Sequence, residues 1–90
     1  MTAFLITFDP FTSNLEGVHR AITTANNVNE WWHFLSSAYI VTTNATLPNL
    51  TQSLKANGLT GGSYLIIEVK KNSGGSLPKQ AWDWINSRIT

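Results

Sequence analysis

Cysteine is absent from the 90 residues, which excludes disulfides, thiolate metal sites and thiol nucleophiles. Charge is scarce. Six Lys and Arg and five Asp and Glu leave a net +1, and charged residues make up 12% where about 25% is usual. A free-standing nucleic-acid binder ordinarily shows a strong basic excess, and that footprint is missing. No apolar run approaches the roughly 20 residues of a membrane span. Met1 to Pro10 carries no basic segment ahead of an apolar stretch of the signal-peptide type. A soluble, cytoplasmic protein with no membrane partner is the expectation.

The hydrophobic share, 42%, is that of a folding chain and not of a disordered tail. Its length allows a single domain, 1–90, of the size that hides only about 60–65% of its unfolded surface. Such a chain keeps its connections short or shares a core with a second copy. Serine, threonine and asparagine supply 28 of the 90 residues, so neutral hydrogen-bonding groups stand where charges usually do. The glycosylation-type patterns at Asn44 and Asn49 read as chance matches in so Asn- and Thr-rich a chain.

Ala3–Phe8 is apolar at nearly every position and is stopped by Asp9-Pro10, the pattern of a central strand. Ser13 followed by Glu16 fits a capping box. Leu15, Val18, Ile22 and Ala25 then mark the apolar face of a helix that ends at Asn26-Asn27. Glu30–Ser36 and Ala38–Thr43 are rich in β-formers and predict two antiparallel strands. Thr46 caps a second helix with Pro48 in its first turn, a stripe of Leu47, Leu50 and Leu54, and Gly58 just past its end. Tyr64–Lys70 is a further strand. Ser76-Leu-Pro78 opens a last helix with Ala81, Trp82, Ile85 and Ile89 on one side. The first six elements give the α+β class, a ferredoxin-like βαββαβ sandwich, and the seventh is an extra C-terminal helix.

Both faces of the central strands are apolar: Phe4, Ile6 and Phe8 oppose Ala3, Leu5 and Thr7, and Leu65, Ile67 and Val69 oppose Tyr64, Ile66 and Glu68. Helices on one side leave a second face too apolar to stay wet. Either the last helix covers it or two copies meet there, and a homodimer through the sheet is the favoured solution.

Asp9 is the candidate for chemistry, because it stands at the carboxyl end of a central strand. Two such carboxylates across a twofold axis would share a hard cation such as Mg²⁺; as a lone residue Asp9 would bond its own loop. His33, among the aromatics of Trp31-Trp32-His33-Phe34, is either a general base or phosphate ligand or a packed strand residue. His19, within a helix, reads as solvated surface. Trp31 and Trp32 are consecutive and must face opposite sides of a strand. Trp82 and Trp84 likewise diverge on a helix, by roughly 200°. Each pair therefore places at least one ring at an interface or a partly exposed cluster, where indoles anchor proteins or stack bases. In a small domain, packing in the core is nevertheless the favoured reading of these tryptophans.

The run Phe4-Leu-Ile-Thr-Phe-Asp9, opening a βαββαβ domain, resembles the small CRISPR-associated adaptation proteins of the Cas-two group, and more closely their Cas-two-like, SinR-like bacterial relatives. The aromatic hairpin Trp31–Val41 and the terminal Leu77–Ile85 are similar to segments of those relatives. The resemblance implies a homodimer with Asp9 near the twofold axis. It implies either Mg²⁺-dependent cleavage of RNA or DNA through paired Asp9, or a non-catalytic structural partner that touches a duplex backbone. The arginines that follow the aspartate in that group are replaced here by Phe11-Thr-Ser-Asn14, so phosphate contacts are few and nucleic-acid binding is expected to be weak. The expected function is a dimeric interaction or structural module with a possible protein partner. An Mg²⁺-dependent endonuclease is the alternative.

Overall fold

The computed structural model describes residues 1–9, 14–59 and 62–89. Seven elements follow one another: β1 (Thr2–Phe8), α1 (Leu15–Thr23), β2 (Glu30–Leu35), β3 (Ala38–Thr43), α2 (Leu47–Ala56), β4 (Tyr64–Glu68) and α3 (Lys79–Asn86). The strands form one sheet in the order β2-β3-β1-β4, every neighbouring pair antiparallel. This is a small α+β fold, compatible with a ferredoxin-like one.

The two-sided apolar character of β1 has a direct cause. β1 is flanked by β3 and β4, and each of its faces meets a different layer. Phe4, Ile6 and Phe8 pack with Val18, Ala21 and Ile22 of α1 and Leu50 and Leu54 of α2. Ala3 and Leu5 turn the other way, into a second core with Trp32, Ile40, Ala81 and Ile85. The last helix therefore lies on the face that the sequence left open between a helix and a second copy.

Local signals set the helix ends. The cap of α1 is Asn14, whose side chain accepts from the Gly17 N–H at 3.2 Å. The helix thus begins one residue later than a Ser13 capping box would place it, and Ser13 itself lies outside the described residues. Ala25 falls past the end of α1 yet is buried in the first core. Thr46 caps α2 as expected, and Gly58, at φ +110°, follows its C-cap Asn57 in a conformation that a Cβ would strain. α3 starts after Pro78 with no side-chain cap. Packing and a clamp hold it instead. Arg88 donates from Nε and Nη2 to the two carboxylate oxygens of Glu30 at 3.0 and 2.9 Å while its guanidinium lies 4.2 Å over the Trp84 ring.

Candidate functional site

Residues far apart in sequence converge where α1 crosses the β2–β3 hairpin. Trp31 sits opposite Val41 in the ladder, on the α1 side, with Tyr39 two residues before Val41 on the same face. Tyr39 is the centre of the group. It is 3% exposed, and its hydroxyl lies 2.6 Å from Nδ1 of His19 on α1. Burial raises the Tyr39 pKa, so the phenol stays protonated. The His33 ring stacks on the Tyr39 ring at 4.0 Å between centroids and 15° between planes. His33 Nδ1 lies 3.1 Å from the Ala38 carbonyl, which can only accept, so Nδ1–H donates there. Trp31 meets His19 edge to face at 5.3 Å. The result is a cleft of about 520 Å³, walled by Leu15, Glu16, Arg20 and Ser36 beside the two imidazoles.

Of the residues singled out from sequence, Trp31 and His33 belong to this group and Trp32 does not. Trp32 is buried on the opposite face, stacked on Trp84 at 6.2 Å and 24° beneath α3. Trp82 and Trp84 are both half-buried against the second core. His19 is exposed as expected, but it is anchored to Tyr39. Asp9 follows β1, half-buried, with its N–H donating to the Ser63 carbonyl at 2.9 Å beside Tyr64 and Leu65. Among the described residues no three of His, Cys, Asp and Glu come together, so the Mg²⁺ expectation rests on Asp9 and a second copy.

A second feature lies at the β4 margin. β4 is the outer strand next to β1. Val69 N–H bonds to the Ala3 carbonyl and Asp9 N–H to the Ser63 carbonyl, so the odd positions of this segment turn their backbone groups inward. Tyr64, Ile66 and Glu68 therefore turn theirs outward. Leu65 and Ile67 are 55% and 48% exposed on the α3 side. Ile67 lines an apolar groove of about 580 Å³ whose walls also include Leu5, Ile40, Leu77 and Trp82.

Tyr39, His19 and Arg20 are the site residues that the sequence reading passed over. The available signal was parity: Trp31 and His33 share one face of β2, and a short hairpin returns Tyr39 to that face. No described helix is long and apolar enough to cross a membrane. Comparison with known protein families, with curated proteins and with solved structures finds no match to this chain.

Proposed function

We propose that this chain is a ferredoxin-like interaction module that works as a homodimer, akin to the Cas-two group in architecture and not in chemistry. The strand order β2-β3-β1-β4 with α1 and α2 on one face supports the topology. One observation carries the dimer: an outer strand whose even-numbered backbone groups turn away from β1 displays Leu65 and Ile67, the latter on an apolar groove.

Antiparallel pairing of β4 with its copy about a twofold at Ile66 sets Leu65 beside Ile67 of the partner subunit, twice. It sets Tyr64 opposite Glu68 of the partner subunit and keeps the two Glu68 carboxylates apart. A twofold at Glu68 would put like charges directly opposite, which is unfavourable. The pairing extends the sheet across both copies and uses one self-complementary edge. Nothing in it requires a reaction.

Sedimentation at micromolar concentration tests the reading. The wild type is expected at twice 10.0 kDa, and Ile67→Lys at 10.0 kDa with an unchanged circular dichroism spectrum. A wild type that sediments as a single chain, or an Ile67→Lys variant that remains dimeric, overturns it.

A further inference from the structure

The cleft at α1 and the hairpin gathers groups that the dimer does not use. Arg20 stands on its wall, exposed, and the three ion pairs among the described residues (Lys70–Glu68, Lys79–Asp83 and Arg88–Glu30) leave its guanidinium out. The two imidazoles are set in opposite senses. Tyr39's buried hydroxyl must place its proton, and Nδ1 of His19 is its partner, so neutral His19 carries its own proton on Nε2. His33 gives Nδ1–H to Ala38 and is left with a lone pair on Nε2. The two imidazoles, the Arg20 guanidinium and Ser36 thus line one cleft together with the apolar Phe8 and Leu15. About 520 Å³ falls within the roughly 300–1,000 Å³ of small-molecule sites.

We infer that this cleft binds a small organic phosphate monoester, with its phosphoryl group on Arg20, His19 and His33 and its apolar body against Phe8 and Leu15. Phosphoryl oxygens accept from the Arg20 fork and from His19 Nε2–H. The lone pair on His33 Nε2 takes a proton from, or shares one with, the remaining P–OH oxygen. A carboxylate has only two oxygens, which Arg20 and His19 take up, whereas a phosphoryl group has a third for His33 and, with a second pKa of about 6, a P–OH form within reach of neutral pH. The bound state therefore holds one proton more than neutral His33 and the free dianion. The titratable and charged groups facing the ligand are Glu16, His19 and Arg20 from α1, His33 from β2 and Tyr39 from β3. β1 contributes only Phe8. Glu16, the one carboxylate among these lining residues, opposes a free dianion and so adds to the same proton dependence.

Phenyl phosphate, titrated into the full chain and followed through the histidine imidazole resonances, tests the site. Saturable shifts of both histidines are expected, with Kd of about 1 mM or tighter. Affinity should fall severalfold between about pH 6 and about pH 9, as the P–OH form of the ester is lost. Arg20→Gln should weaken binding about tenfold or more, as loss of a charge-assisted pair implies, while Lys79→Gln leaves it unchanged. Inorganic phosphate should bind more weakly. Absence of saturation, an Arg20→Gln variant that binds like the wild type, or pH-independent affinity overturns the proposal. Equal affinity for inorganic phosphate overturns the ester assignment. Repeating the titration on Ile67→Lys separates this site from the dimer, since the cleft lies away from the β4 margin.

Discussion

Tyr39 anchors the cleft through a hydroxyl whose partner among the described residues is Nδ1 of His19. Tyr39→Phe keeps the ring in the core and removes that bond. His19 is exposed and exchanges the lost contact for water, so the cost should be modest, about 0.5–1.5 kcal/mol in urea unfolding. A change well above that range would mean the His19–Tyr39 pair carries more of the fold than its geometry implies. The approach of His19 to residues 33 and 39 was not legible in the sequence, because it needs the crossover of α1 over the hairpin. The opposite facing of Trp31 and Trp32 was legible, since it follows from strand alternation alone. Glu30 gives a second residue-level test. Its hydrogen bonds from Arg88 lower its pKa, desolvation opposes them, and the charge of Arg88 adds a smaller lowering effect. A carboxyl with a lowered folded pKa stabilises the fold above its unfolded pKa and loses that contribution as pH falls through the folded value. The gap in urea midpoint between wild type and Glu30→Gln should therefore be open at neutral pH and close in acid. It should also be small, as both partners are accessible to water. A gap that widens in acid would contradict the clamp.

At the scale of elements, what the sequence disclosed depended on how local each cause was. Largely apolar runs marked β1 and β4, although β4 ends at Glu68 and not at Lys70. Thr46, Pro48 and Gly58 marked the two ends of α2 because caps and left-handed glycines act within a turn. The start of α1 was misplaced by one residue, since Ser13 and Asn14 are both good caps and only the fold selects between them. The position of α3 was out of reach of periodicity: the stripe of Ala81 and Ile85 says that the helix buries a face, not which face receives it. Ile85 is 3% exposed against Ala3, Trp32 and Ile40. Ile85→Ala should cost about 2–5 kcal/mol, a large part of the roughly 5–15 kcal/mol a domain has in total. Deleting 77–90 should leave a chain that aggregates, because Trp32 and Ile40 would face water. An unchanged melting temperature in either variant would show that α3 is only tethered.

For the whole molecule, the covering of the second face by α3 narrows where two copies can meet, from a sheet face to the β4 margin and its groove. That change bears on Asp9, which follows β1 beside Tyr64 and Leu65. Cleavage of RNA or DNA by a shared Mg²⁺ needs several oxygen ligands, and one Asp9 per chain supplies them only across a twofold axis. It also needs the polyanion to be held. Four lysines and two arginines are spread over the chain, and only Lys70 and Lys71 are adjacent. Three of the cations, Lys70, Lys79 and Arg88, are already paired with Glu68, Asp83 and Glu30. Few phosphates are neutralised together, so binding should be weak, with a shallow dependence on salt. Stacking on the exposed ring of Trp31 adds about 1–3 kcal/mol per base, and only for an unpaired strand. Incubation of the purified protein with RNA and DNA in Mg²⁺ or Mn²⁺ is expected to leave both intact. Asp9→Asn is expected to dimerise like the wild type. Specific cleavage by the wild type that disappears in Asp9→Asn would reverse this conclusion, because no other carboxylate is placed to explain such a loss among the residues that line the end of β1.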